Sequence, residues 1–176
     1  MQTMKNSSHP SKGDLAARPL LTQAQNNTTL WIGHLKADPT DHFAGQTFQC
    51  TTDGLLNNIQ IYADAVQTPG EVTLILHSFD PKTKKWGEVL GNSKINIHRN
   101  DDARWIRFDL PAITLKNGNS YGFRLETSDA MVAIGEAASL AKHPFVFGQE
   151  WKADSKDRAG HFFSYFSLAF KIELCA

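Results

Sequence analysis

AGQTFQCTTDGLLNNIQIYAD, residues 44–64, holds two strand patterns of opposite kind on either side of a turn. In the first, 45–51, Phe48 and Cys50 share one side, and Thr52, Asp53 and Gly54 end it with residue types that tolerate turn geometry. In the second, Ile59, Ile61 and Ala63 alternate with Gln60, Tyr62 and Asp64, the period of a half-buried strand. A β-layer is expected to begin here.

Working toward the C-terminus, the same signals recur. EVTLILHSF (71–79) puts Val72, Leu74 and Leu76 on one face and Ile75 and Phe79 on the other, so it is expected to be covered on both sides or central. DPKTKKWG (80–87) reads as a charged hairpin tip, and 89–97 as the returning strand. WIRFDL (105–110) alternates strictly, with Ile106, Phe108 and Leu110 inward. KNGN (116–119) is a turn signal, and YGFRLE (121–126) places Tyr121, Phe123 and Leu125 inward. After a short apolar strand at 131–135, EAASLAKH (136–143) has helix-favouring composition but is too short to anchor a helical layer. Leu168, Phe170, Ile172 and Leu174 close the pattern. Eight or nine strands with almost no helix predict an all-β, antiparallel two-sheet sandwich, with a barrel as the alternative.

Toward the N-terminus, residues 1–27 are polar, carry Pro10 and Pro19 and show no sustained period. They are expected to be a flexible, disordered or extended arm, with at most a helical turn near 15–21, ahead of one domain spanning 28–176. TLWIGHL (29–35) is a candidate first strand. Residues 1–14 lack the apolar core of a secretory signal, so either export is not encoded in this stretch or a leader lies outside it. Asn6 and Asn27 are formal glycosylation sequons.

The chain has 176 residues, with 18 Lys plus Arg against 18 Asp plus Glu, so no global field favours nucleic acid. No segment approaches the roughly 20 apolar residues of a membrane-spanning helix. Cys50 and Cys175 lack C-x-x-C spacing, which disfavours a zinc ribbon or redox motif; whether they pair stays open.

A resemblance enters at this point. The segments at 44–62, 69–80 and 107–126, with FSLAFKIEL at the end, carry a "GQ-S/T-F" strand, a "G-x-L-x-x-I/V" strand, an "L-x-x-G-x-x-Y" hairpin and a closing "L-A-F". Gln46, Phe48, Gly54, Leu56, Ile59, Leu115, Gly118, Tyr121, Leu168, Ala169 and Phe170 occupy those positions. The pattern resembles bacterial jelly-roll modules of the choice-of-anchor R type and related carbohydrate-binding-like, galactose-binding-like domains. The resemblance implies a jelly-roll β-sandwich on extracellular or cell-surface proteins, and it brings no catalytic set with it.

Two clusters are candidate binding residues. The outward positions Gln60, Tyr62, Asp64, Trp105, Arg107, Asp109, Arg124 and Glu126 would form an aromatic and charged face if their strands share a sheet. Such a face suits a sugar, whose C–H surface stacks on Trp while its hydroxyls meet Arg and carboxylate groups. The plainer account is a solvated sheet face laced by cross-strand ion pairs. The second cluster is aromatic and placed on loops: Trp86, His143, Phe147 and Trp151. Catalysis is less well supported. The histidines, among them His34, His42, His77, His98, His143 and His161, show no metal-ligand spacing, and no G-x-S-x-G elbow or phosphate-binding Gly-rich loop occurs. Asp109 and Glu126 would serve a glycan-active enzyme only if they face each other across one site. Asp101, Asp102 and the acids at 154–157 are turn residues whose plainer account is a solvated turn, with a structural Ca²⁺ held together with backbone carbonyls as the alternative; no other cofactor is expected. The expectation is a non-catalytic module binding carbohydrate, with a protein-interaction module and a glycan-active enzyme as the alternatives.

Overall fold

A computed structural model describes residues 16–34 and 37–176. The first part of the expected arm, with Asn6, and Leu35 at the end of the first strand pattern fall outside the described residues. Fourteen strands follow one another: β1 (Ala17–Gln23), β2 (Thr28–His34), β3 (Asp41–Gln49), β4 (Gly54–Thr68), β5 (Gly70–Asp80), β6 (Lys85–Ile97), β7 (Arg104–Asp109), β8 (Thr114–Leu115), β9 (Ser120–Glu126), β10 (Met131–Ala138), β11 (Glu150–Asp154), β12 (His161–Phe163), β13 (Phe166–Leu168) and β14 (Phe170–Cys175). One 3-10 turn, Arg99–Asp101, is the only helical element among the described residues.

The hydrogen-bonded order is β1–β14–β4–β10–β2–β3–β9–β5–β6, with β7 and β8 on the other edge of β4, β13 on β10, and the β11–β12 hairpin on β3. All pairings are antiparallel, as expected for short-period all-β sequence. One layer is β1, β14, β4 and β7; the facing layer is β3, β9, β5 and β6. β10 and β2 carry the ladder from one layer to the other, so the sandwich is continuous along that side. Ile59, Ile61, Ile106, Phe108 and Ile172 of the first layer meet Val72, Leu74, Leu76 and Leu125 of the second in one apolar core. Phe123 and Phe170 join the layers edge to face at 5.8 Å.

The deciding stretch divides between the two layers. β3 and β4 are not partners: β3 pairs with β9, β11 and β2, and β4 with β14, β7 and β10. The turn at 52–53 therefore hands the chain from one layer to the other. Asp53 braces it by accepting the backbone N–H of Asn117 at 2.7 Å. Gln46 is tolerated at a core-phase position because both ends of its amide find partners. Its Oε1 accepts Leu168 N at 3.0 Å and Ser167 Oγ at 3.3 Å, while Nε2 donates to the Thr47 carbonyl.

Two local expectations are corrected. Residues 17–23 of the expected arm form β1, an edge strand on β14 from Ala17↔Cys175 to Gln23↔Phe170, in place of a helical turn. Pro19 fits there because an edge strand leaves one row of N–H groups unpaired. Residues 136–138 extend β10, pairing with β2 and β13, and the chain beyond Ala138 is irregular. Ready-made ladders on both sides outcompete an isolated helical turn that would begin with unfavourable nucleation. The thiols of Cys50 and Cys175 are both free, so no disulfide links them. Cys50 donates its S–H to the Thr52 carbonyl at 3.0 Å, and burial pushes its thiol pKa up.

Gly33 joins β2 to β10 at a φ of +98°, where an added Cβ would run into the Ala130 carbonyl oxygen. Gly33→Ala is expected to lower stability by roughly 2 kcal/mol, seen as a lower urea midpoint with an unchanged slope. An unmoved midpoint would mean that this backbone geometry is not held by the ladder.

Candidate ligand-binding face and groove

The first layer presents a continuous polar outer face because its register aligns outward side chains in rows. Thr22, Lys171, Gln60 and Arg107 lie abreast across β1, β14, β4 and β7, and Glu173, Asn58 and Asp109 form the next row. A bulge opposite Glu173 and Leu174 breaks the alternation of β4, so the neighbouring Asn57 and Asn58 both join the outer network. Arg107 Nε donates to Asp109 Oδ1 and its Nη2 to Asn57 Oδ1, each at 2.8 Å. Asn58 Nδ2 bridges Asn57 Oδ1 and Glu173 Oε2, and Gln60 Nε2 donates to Asn58 Oδ1. This end of the face is thus internally satisfied.

The other end is aromatic. Trp105 stands opposite Tyr62, edge to face at 5.4 Å, and Lys171 Nζ lies 4.1 Å from the indole centroid. Gly135 of β10 lies between Tyr62 and Asn26: a Cβ there would be 3.0 Å from Tyr62 Cδ1 and 3.2 Å from Asn26 Nδ2. Tyr62 thereby approaches the rim of a groove of about 920 Å³ formed by residues 22–27, the end of β10 and the loop that follows it, with Trp105 on the far side of Tyr62.

Some groove amides build it and others are left over. Gln23 closes the 23–25 turn, with Oε1 accepting Gln25 N at 2.8 Å and Nε2 donating to the Gln25 and Leu168 carbonyls. Asn27 pairs with Ala138 as a backbone would, through Oδ1 at 2.8 Å and Nδ2 at 3.0 Å. That engagement also occupies the amide of the Asn27 sequon. By contrast, no hydrogen bond or ion pair among the described residues engages the side chains of Gln25, Asn26, Lys142 or His143, all exposed at the rim above Ala137, Ala138 and the buried Phe145. Pre-formed walls with unspent donors and acceptors are what a polar ligand requires.

The candidate residues divide accordingly. Tyr62, Trp105, Arg107 and Asp109 share the face as expected. Arg124 and Glu126 do not: they lie on β9, pointing away from the core on the opposite layer. Asp109 and Glu126 thus occupy opposite outer faces, each beside an arginine, and do not face a common space. Trp86 and Trp151 are on strands β6 and β11, not on loops. They meet edge to face at 5.4 Å and both contact Arg124, whose guanidinium lies 5.7 and 5.9 Å from their rings. Arg124 Nε donates to His77 Nε2 at 3.1 Å while His77 Nδ1 donates to the Gly87 carbonyl, which assigns the neutral tautomer. Burial first, and the Arg124 charge after it, lower the His77 pKa. This outer cluster is packed rather than open. Phe147 is exposed on the loop beside the groove.

The turn acids act on backbone. Asp101 accepts His98 N, Asp102 accepts Val66 N, and Asp154 accepts Lys156 N and Asp157 N. No group of three or more His, Cys, Asp or Glu side chains able to hold a metal ion occurs among the described residues. His34, His42 and His161 each face an aspartate, at 2.9, 2.9 and 3.2 Å. No described helix is long and apolar enough to cross a membrane.

No protein-family model and no curated protein sequence matches this chain.

Two features lie outside the sequence-based candidates. The first is the groove, since QAQNN at 23–27 carries no periodicity; its amide density is the signal it does carry. The second is a buried acid pair, Glu136 and Glu150, with Lys152 Nζ at 2.5 and 3.2 Å from them. Lys152 also stands over the Phe166 ring at 3.8 Å. Glu136 continues the inward phase of Val132 and Ile134, so an acid at a core position of an apolar strand was its signal. Their carboxyls are 3% and 0% exposed, which closes them to a substrate. Among the described residues the Glu150 carboxylate meets no aligned donor despite the nearby ammonium; protonated, it can donate to Glu136. Burial, then hydrogen bonding and like charge from Glu136, push Glu150 up to about 9 against the opposing pull of Lys152.

Proposed function

We propose that this protein is a non-catalytic carbohydrate-binding module. The observation that carries it is the approach of Tyr62, which packs on Trp105, to the rim of a roomy groove whose Gln25 and Asn26 amides meet no partner among the described residues. Each amide offers both donor and acceptor, the complement of a sugar hydroxyl, and an aromatic pair near a groove offers ring faces to a pyranose C–H surface. Lys171 shares the Trp105 surface and would hydrogen-bond ring hydroxyls from above. The resemblance to choice-of-anchor R and carbohydrate-binding-like jelly rolls agrees with this reading, as does the separation of Asp109 from Glu126. Trp105→Ala and Asn26→Ala are each expected to weaken glycan binding about tenfold on an array confirmed by calorimetry. Absence of binding by the wild type to any neutral or charged saccharide at millimolar concentration would end the proposal.

One observation favours a protein-interaction module instead. The loop beside the groove exposes Leu140 (91%), Val146 (71%) and Phe147 (44%), an apolar set that a folded chain gains nothing by presenting to water.

A further inference from the structure

Resting on the carbohydrate reading, we infer that the groove selects an anionic saccharide, with Lys142 receiving the acidic group. The chain has no net charge, yet the groove's lining contains Lys142 and His143 and neither Asp nor Glu. Of the nearby acids, Asp109 is engaged by Arg107, Glu173 by Asn58 and, in the interior, Glu136 by Lys152, while Asp64 lies two residues along β4 from Tyr62, outside the groove's lining. Lys142, by contrast, forms no ion pair among the described residues, and its backbone N–H is fixed by Ser139 Oγ at 3.2 Å, which sets the rim from which its ammonium projects. Lys171, on the neighbouring face, likewise has an aromatic partner and no carboxylate among the described residues. A neutral sugar would use the Gln25 and Asn26 amides and leave Lys142 without a counter-charge. A saccharide bearing a carboxylate or a sulfate ester would use both the amides and Lys142, replacing the hydration of one exposed ammonium by a charge-assisted hydrogen bond.

Calorimetry with three probes tests this: a short galacturonate oligomer, the same oligomer with its carboxyls methyl-esterified, and a sulfated oligosaccharide of similar length. An anionic probe is expected to bind about tenfold tighter than the ester, with affinity falling as salt rises. Whichever anionic probe is tighter distinguishes carboxylate from sulfate. Lys142→Gln is expected to bring the anionic probe down to the affinity of the ester, and Lys142→Arg to keep most of the preference. Equal binding of ester and anion by the wild type overturns the charge selection and leaves the carbohydrate reading standing. A preference that survives Lys142→Gln overturns the assignment to this groove. No binding of any probe at millimolar concentration overturns both.

Discussion

Replacing Lys152 by methionine is expected to destabilise the protein by about 3–5 kcal/mol at neutral pH, read from urea denaturation. The magnitude follows from what is left behind. Lys152 is the cation facing Glu136 and Glu150, whose carboxyls are almost wholly out of water. Methionine preserves the contact with Phe166 but supplies no charge and no donor, so the loss is one of electrostatics and not of packing. The pH dependence has a definite sign. Glu150 is raised to about 9 from the ordinary value of 4.5, so the folded chain keeps a proton that the unfolded chain releases. Its contribution is therefore complete below pH 4.5 and declines as pH rises toward 9. Glu150→Gln, which mimics the protonated form, is expected to flatten stability over that window and to exceed the wild type at its alkaline end. A variant whose stability still falls as steeply between those limits would show that another group carries the dependence.

Trp151→Ala is the second large effect, expected at about 3–5 kcal/mol. Trp151 is 2% exposed although it points away from the sandwich core. It is buried because β12, Trp86 and Phe162 cover the outside of the second layer, an aromatic subsidiary core with Arg124 packed against both indoles. Truncation opens a cavity there and leaves the Ala159 carbonyl without the Nε1–H that reaches it at 3.0 Å. Trp105→Ala removes the same volume from the first layer's outer face and is expected to cost about 1 kcal/mol. Similar denaturation midpoints for the two variants would refute the distinction between a structural and a presented tryptophan.

That distinction marks where sequence alone stops. Period-2 alternation reports which way a side chain points on its own strand, and it placed Ile106, Phe108, Phe123 and Leu125 inward, as found. It is silent on which layer a strand joins, so Arg107 and Arg124 look alike in sequence although they lie on opposite outer faces. The turn after Cys50 is compatible with either a hairpin or a crossing between layers, and only the distant partners β9 and β14 decide it. β1 was unreadable because an edge strand needs neither strong alternation nor freedom from proline. Part of the groove was hidden for the same reason: its amides follow a strand that composition presents as a tail.

The pairing of β1 and β4 with β14 also bears on how the chain is made. On the ribosome, β4 emerges with the edge that β14 will occupy bare, and it stays so until more than a hundred further residues have been added. Ile59 and Ile61 are then part of an unpaired strand in a nascent chain, a form open to mispairing or to capture by a chaperone. Closure of the first layer is consequently a late event dominated by distant contacts, and refolding from denaturant should be slow for the same reason.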